Sequence, residues 1–306
     1  MKLFSPPGFE PQTMDTTLGQ MVYYTPSDLP WSHWQPKGEQ DERPLLVFLH
    51  SLGGGSSAYE WSKVYPAFAA DYRVIAPDLI GWGASAHPQR DYSADDYVAL
   101  MTELLEYLGC PAMLVATSLT AAFSIRVAIA HPHLVQSLFL VCPSGYDDFG
   151  RSYRTGLSAQ LAGTPGLDQI IYALGAANEI AVRNFLEQFL FAQPNRITDE
   201  MVAAYTASAQ QPNAEYAALA ALKGALFFDL TRYLDQLTIP TAFIWGQASK
   251  FNSPEFGQRL AALNPQAVKW FETIANTGVL PHLECPAVVA GILRAWLHRR
   301  VARSGQ

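Results

Sequence analysis

The chain has 306 residues, 49% of them apolar and 15% charged, with a formal net charge of −7. That length and apolar fraction support a large core, while a charged share below the roughly 25% of an average domain leaves uncharged surface for a pocket or partner. The acidic balance argues against a nucleic-acid partner, which needs a basic face.

The start, MKLFSPPGFEPQTMD, lacks the apolar core of a signal peptide. No run of ~18 uninterrupted apolar residues offers a bilayer span. Cys110, Cys142 and Cys285 form no metal-like cluster, and one must stay unpaired, which fits a reducing compartment. A cytoplasmic protein is expected, with no cofactor and no metal.

Residues 25–43, PSDLPWSHWQPKGEQDERP, read as a polar, Pro-rich loop with Trp31 and Trp34 packed locally. LLVFLH (45–50) reads as a buried strand, AYEWSKVYPAFAA (58–70) as a helix and YRVIAPDL (72–79) as a strand. A helix follows over 93–109, with Ser93 as its N-cap. AMLVATS (112–118) and LTAAFSIRVAIAHP (119–132) repeat the strand–helix pair, and VQSLFLVCPSG (135–145) is another strand. Residues 146 to about 237 contain no convincing strand and read as amphipathic helices, such as 179–191 and 198–210. Alternation resumes with a strand over 241–247, a helix over 254–264, a strand over 268–275 and a helix over 281–300. Apolar strands spaced by helices imply a parallel sheet covered on both faces. The expected organisation is an α/β core, 1–145 and 238–306, interrupted by a helical insertion, 146–237, after its fourth parallel strand.

Five segments in this order resemble the α/β-hydrolase superfamily. LVFLHSLGGGSSAYEW resembles its oxyanion loop, and VIAPDLIGWGAS its fourth-strand signature with Asp78, Gly81, Gly83 and Ser85. VATSLT takes the place of the nucleophile elbow, FIWGQAS that of the acid segment and NTGVLPHLECP that of the histidine segment. The resemblance implies a mostly parallel, doubly wound sheet, with the insertion as cap. A short stretch, DLIGWGAS with LPHLE, is also similar to the chlorophyll-dephytylase-like branch of plants and cyanobacteria, which implies a long-chain or prenyl ligand.

The resemblance implies a serine nucleophile, a histidine base, an acid and two backbone N–H donors. Ser118 holds the nucleophile position, although the flanking glycines of G-x-S-x-G are Ala116 and Thr120. The alternative for Ser118 is a helix-capping serine. Leu52 and Leu119 are the expected oxyanion donors, with Ser51 standing where the family has glycine. Gly53-Gly54-Gly55 is followed by no Lys-[Ser/Thr] pair and is not a P-loop.

The acid position of W-G-x-x-D falls on Ser249, after Trp245 and Gly246, and a serine cannot balance an imidazolium. Asp147 and Asp148 lie where some family members keep the acid; the plainer expectation is that they cap a helix of the insertion. The base position falls on Val279, and an isopropyl group takes no proton. His282, three residues on, is the candidate substitute, although past Pro281 it should point elsewhere. His33, His50, His87, His131, His133 and His298 are worse placed. Loss of one essential triad member costs about as much as loss of all three, roughly 10⁶ in kcat. The expected function is therefore a hydrolase fold without hydrolysis, binding an apolar small molecule or a protein partner. The alternative is a serine esterase with a rearranged triad of Ser118, His282 and Asp147 or Asp148, acting on an apolar ester. A lyase or oxygenase of this fold would also want the missing histidine.

Overall fold

The computed structural model describes residues 4–27, 29–31, 41–151 and 177–304, and the side chains of 300–304 are left aside. Its frame comes from short apolar runs too uniform to sit on a half-wet face. The strands β3 (Leu45–Leu49), β5 (Ala112–Thr117) and β7 (Thr241–Gly246) are buried at every residue. Such strands need cover on both faces, as a parallel sheet with crossover helices provides. They join β4 (Arg73–Asp78), β6 (Val135–Val141) and the edge strand β8 (Val268–Ile274) in one sheet. An N-terminal hairpin, β1 (Phe9–Thr16) and β2 (Gly19–Pro26), adds two antiparallel strands. The order is β1-β2-β4-β3-β5-β6-β7-β8, with every pair from β4 to β8 parallel.

Two helices follow their strands as the pattern implies. In α1 (Ala94–Leu108), Ser93 and Asp96 form a reciprocal capping box, and Gly109 closes the helix at φ 71°. Ser93→Ala is expected to cost about 1 kcal/mol in urea unfolding, since it leaves the Asp96 N–H without its cap. In α2 (Ser118–Ala130) ten residues are buried, so the helix lies inside the fold instead of on its surface.

Three expectations are corrected. Residues 58–70 form two short 3₁₀ turns, Ala58–Trp61 and Tyr65–Phe68, because Pro66 removes a helical donor. The strand expected over 135–145 ends at Val141, where Cys142 turns to φ 46°. The helix expected over 179–191 is α3 (Glu179–Phe185) followed by one wider π turn, Leu186–Leu190.

Between β6 and β7 the described part of the insertion also holds α4 (Asp199–Ala209) and α5 (Ala214–Leu222). Asn178 and Thr198 cap the starts of α3 and α4 through their side chains. Past β7 come α6 (Pro254–Ala262), the single turn α7 (Pro281–Glu284) and α8 (Pro286–Ser304). A second apolar cluster joins Val182, Leu186, Leu190, Met201 and Tyr205 of the insertion to Val279, Leu280 and Leu283 of the core. Trp31 donates its indole N–H to the Pro7 carbonyl and packs edge-on to Phe9, local packing as expected. Trp34 and His33 lie outside the described residues, as does most of the first third of the insertion. No helix among the described residues is long and apolar enough to cross a membrane.

Candidate active site

β5 ends at Thr117 and α2 begins at Ser118, with nothing between them. The turn is made by Ser118 itself, at φ 57°. That left-handed conformation costs an L residue roughly 1–2 kcal/mol, so the surrounding packing must enforce it. The N-cap position belongs to Thr117, and its side chain makes no capping bond. Ser118 therefore does not act as a capping serine; it stands on a sharp strand-to-helix turn. Ala116 and Thr120, in place of the glycines, are fully buried and leave the turn intact. The Ser118 hydroxyl is bonded to the Tyr146 hydroxyl at 2.9 Å.

The register of β3 on β5 pairs Leu49 with Ala116, which brings the loop after His50 alongside this turn. The N–H groups of Leu52 and Leu119 carry no hydrogen bond among the described residues. His50 is committed elsewhere. Its Nε2 accepts from the Leu79 N–H at 2.9 Å, which puts the proton on Nδ1, 2.5 Å from the Ser51 carbonyl. Ser51 donates its N–H and its hydroxyl to the two carboxylate oxygens of Glu60, at 2.7 and 2.8 Å. Ser51 is thus held by a buried acidic group in an apolar setting. Glu60 also accepts from Tyr205 of α4 at 2.9 Å, so one carboxylate ties the loop to the insertion.

Neither His282 nor Ser249 is hydrogen-bonded to Ser118 among the described residues, and the Val279 side chain has no polar atom to offer. Val279 is buried in the second apolar cluster, and its N–H donates to the Leu190 carbonyl at 3.0 Å. His282 is wholly buried, its ring stacked on Trp61 at 3.9 Å and 13°. Its Nε2 lies 3.9 Å from Glu60 Oε2, an ion-pair distance too long for a hydrogen bond, and neither ring nitrogen finds a partner among the described residues. Burial pushes the imidazole below its ordinary pKa, more than Glu60 pushes it up, so His282 is neutral at pH 7. Burial also pushes Glu60 up, but the imidazoles of His282 and His50 and the Ser51 N–H outweigh it and hold the carboxyl at about 2. Ser249 sits near the Cys142 thiol without reaching hydrogen-bond geometry. That thiol is pushed up to about 12 by burial, against the opposing pull of the Gly246 N–H and Ser249.

Asp148 does not cap a helix through its side chain. It accepts from the Ser144 hydroxyl and from the N–H groups of Gly145 and Leu230, fastening the strand end to the far end of the insertion. Burial pushes its carboxyl above the usual range despite these donors. Glu284 does a similar job beside Val279, where it accepts N–H bonds from Gly278, Ala192 and Gln193. Glu60, Tyr146 and Glu284 escaped sequence reasoning. Glu60 carried one signal, a lone acid between the apolar residues of AYEW. A surface cavity of about 840 Å³, lined by Arg43, Arg73, Cys110 and His133, lies at the N-terminal ends of the parallel strands, opposite the end that carries Ser118, and has no part in this geometry. Among the described residues no group of His, Cys, Asp and Glu could hold a metal ion.

A parallel sheet with a strained serine at the end of its central strand, under a helical insertion, defines a class of fold shared by many hydrolases. The family model described as "Alpha/beta hydrolase family" matches residues 46–292, and the chain belongs to that family. It is 27% identical over 290 residues to the uncharacterized hydrolase YugF of Bacillus subtilis, covering 90% of this chain and 93% of that protein. An uncharacterized protein of Mycobacterium tuberculosis is 35% identical over 103 residues, a stretch spanning 33% of this chain and only 30% of that relative. In structure, haloalkane dehalogenase DbeA from Bradyrhizobium elkani matches with a TM-score of 0.75 at 20% identity, over 96% of this chain and 99% of that one.

Proposed function

We propose that this chain is an α/β-hydrolase-fold protein without serine-hydrolase chemistry, which binds an apolar small molecule between the sheet end at Ser118 and the cap formed by residues 146–237. The observation that carries this reading is the position of Val279. An isopropyl group stands where the base belongs, and it is buried in the apolar cluster that joins cap to core. An ordinary triad needs an imidazole against the serine, whereas the Ser118 hydroxyl is bonded to a phenol. That cluster also contains Leu186, Leu190, Leu280 and Leu283, which supports a site that is apolar by construction. A protein partner would need an exposed face, and nothing at Ser118, itself 8% exposed, favours one.

The rival reading is an esterase in which His282 serves as base. It draws no support from an imidazole whose neighbours are Glu60 and Trp61. Fluorophosphonate labelling separates the two. Wild type is expected to label no more than Ser118→Ala. Labelling above that level, abolished by His282→Ala, would overturn the proposal in favour of the rearranged triad. In Val279→His/Ser249→Asp, Ser118-dependent labelling is expected to appear, because the turn and the oxyanion donors are retained.

A further inference from the structure

We propose that the cavity at the N-terminal ends of the parallel strands is a ligand site of its own, which takes an aryl monocarboxylate with its carboxylate on Arg73. It lies at the end of the sheet opposite Ser118 and does not rest on the reading given for that end. Three observations carry it: a cavity built by the level start of four strands, a guanidinium there without a counter-ion, and an exposed aromatic ring beside it.

The strand register builds the floor. Leu45 pairs with Arg73 and with Ala112, and Ala112 pairs with Val135, so four neighbouring strands start level. Leu45, Arg73 and Val135 line the cavity of about 840 Å³, along with the turn Gly109-Cys110-Pro111 that leads from α1 into β5. A Cβ on Gly109 would meet no atom within 4 Å, so this turn borders open space. Arg73 also lines a second hollow of about 440 Å³, with Tyr23, Tyr107 and Leu108. Both volumes suit a small molecule.

Charge selects the ligand. Arg43 is fixed in the cavity wall. Its Nε and Nη2 donate to the two carboxylate oxygens of Asp41 at 2.9 and 2.7 Å, and its Nη1 donates to the Ala69 carbonyl at 2.7 Å. Arg73 is half-buried, and its side chain makes one bond, from Nη1 to the Cys110 sulfur at 3.5 Å. Sulfur is a weak acceptor, and the other four N–H donors of this guanidinium have no acceptor among the described residues. Asp41 feels the charge of Arg73, but both its oxygens already accept from Arg43. In a chain of net charge −7, a half-buried arginine without its own acid leaves a cation for a ligand to pair. The paired N–H groups of a guanidinium match the two oxygens of a carboxylate. A phosphate would bring a second negative charge toward Asp41 and Glu42, which line the same cavity, so a single charge fits better.

The ring selects the rest of the molecule. Tyr107 stands in the last turn of α1, 56% exposed, and meets Tyr23 edge-on at 6.4 Å. It borders the same hollow as Arg73. A ligand held at Arg73 can therefore lay a flat aromatic body against Tyr107, and ring pairs gain affinity beyond the area that they bury. An aliphatic body would gain the area alone.

The test uses four probes on the full chain: 2-naphthoate, its neutral amide 2-naphthamide, 2-naphthyl phosphate and cyclohexanecarboxylate. Binding is followed by isothermal titration calorimetry, and Arg73→Gln and Tyr107→Ala are checked for fold by circular dichroism. Wild type is expected to bind 2-naphthoate at least tenfold more tightly than 2-naphthamide, and more tightly than the other two anions. Arg73→Gln is expected to weaken 2-naphthoate about tenfold or more, to the level of the amide, by loss of a charged hydrogen bond. Tyr107→Ala is expected to weaken 2-naphthoate several-fold and to leave cyclohexanecarboxylate unchanged. Occupancy is also read on wild type alone, through alkylation of Cys110 by iodoacetamide followed by mass spectrometry. Saturating 2-naphthoate is expected to slow Cys110 at least fivefold and to leave Cys285, half-buried and outside the cavity, at its own rate. No binding of 2-naphthoate, equal or tighter binding of any other probe, indifference to either substitution, or an unshielded Cys110 would overturn the inference.

Discussion

Glu60→Ala is expected to lower the unfolding free energy by about 3–5 kcal/mol, measured by urea denaturation. The carboxylate is fully buried, and its removal strands the Ser51 N–H, the Ser51 hydroxyl and the Tyr205 hydroxyl together. A buried donor left without an acceptor costs about 1–3 kcal/mol. The damage also has a location. Ser51 begins the loop that carries the Leu52 N–H, and the Ser51 and Ser56 hydroxyls lie 2.9 Å apart within it. Ser56 in turn accepts from Ser208 of α4 through its carbonyl, so the loop and the cap helix should loosen as one unit. Hydrogen exchange would show this as faster exchange at residues 51–56 and in α4. Glu60→Gln keeps one acceptor but turns an amide NH₂ toward groups that donate, and should cost less than alanine. A loss within 1 kcal/mol for Glu60→Ala would mean that water replaces the carboxylate without strain.

The same pair sets an acid limb. His282 has a folded pKa below the 6.5 of the free side chain, so the unfolded chain takes up this proton first and stability falls as pH drops through that value. Glu60 has the same sign. Its contribution is complete above 4.5 and is lost on the way down to about 2. Asp78 and Asp148, raised by burial, oppose this by favouring the protonated fold. The first loss on acidification therefore belongs to His282 and to His87, which burial also pushes down, and His282→Gln should flatten part of the stability profile below pH 6.5. A wild type that gains stability over that interval would show that Glu60 pulls the imidazole pKa upward after all.

The sheet was legible where burial leaves no choice. The runs at 45–49, 112–117 and 241–246 are apolar apart from Thr117, Thr241 and Gly246 and are buried at every residue, as a strand covered on both faces is. The hairpin was not, because FEPQTMDT and GQMVYYTP mix prolines and polar residues on a partly wet edge. Residues 58–70 carried apolar residues at tolerable helical spacing, yet the proline and the pull of two separate partners broke the segment. Trp61 reaches back to the Leu49 carbonyl, and Ala58 donates its N–H to Asp78. The proposed acid and base positions, Ser249 and Val279, were readable because each sits at a fixed offset from a motif of the family the chain resembles. What replaced them was not readable. Glu60 meets Tyr205 across 145 positions, and Tyr146 meets Ser118 across 28. Neither contact leaves a local pattern, since each exists only once the chain has folded.

Gly246→Ala is expected to destabilise the fold by about 3 kcal/mol or more and to abolish any labelling gained by Val279→His/Ser249→Asp. A methyl group on Gly246 would fall on the carbonyl of Gly278, a backbone atom that cannot swing aside. This contact joins the end of β7 to the loop before Val279, and the Ala248 N–H to Thr277 carbonyl bond at 2.9 Å closes the same seam. The seam is where acid and histidine would face each other in a working triad. It is packed to backbone contact, although the side chains it presents are Ser249 and Val279. Such tight apposition constrains what the two substitutions can recover, because a new imidazole at 279 enters an apolar cluster and must find room beside Leu190. Removing the glycine would separate the segments and leave the imidazole without its carboxylate. If Gly246→Ala keeps wild-type stability and the triple variant still labels, the seam is not what holds the two loops in register. The chemistry would then depend on Ser118 and its oxyanion donors alone.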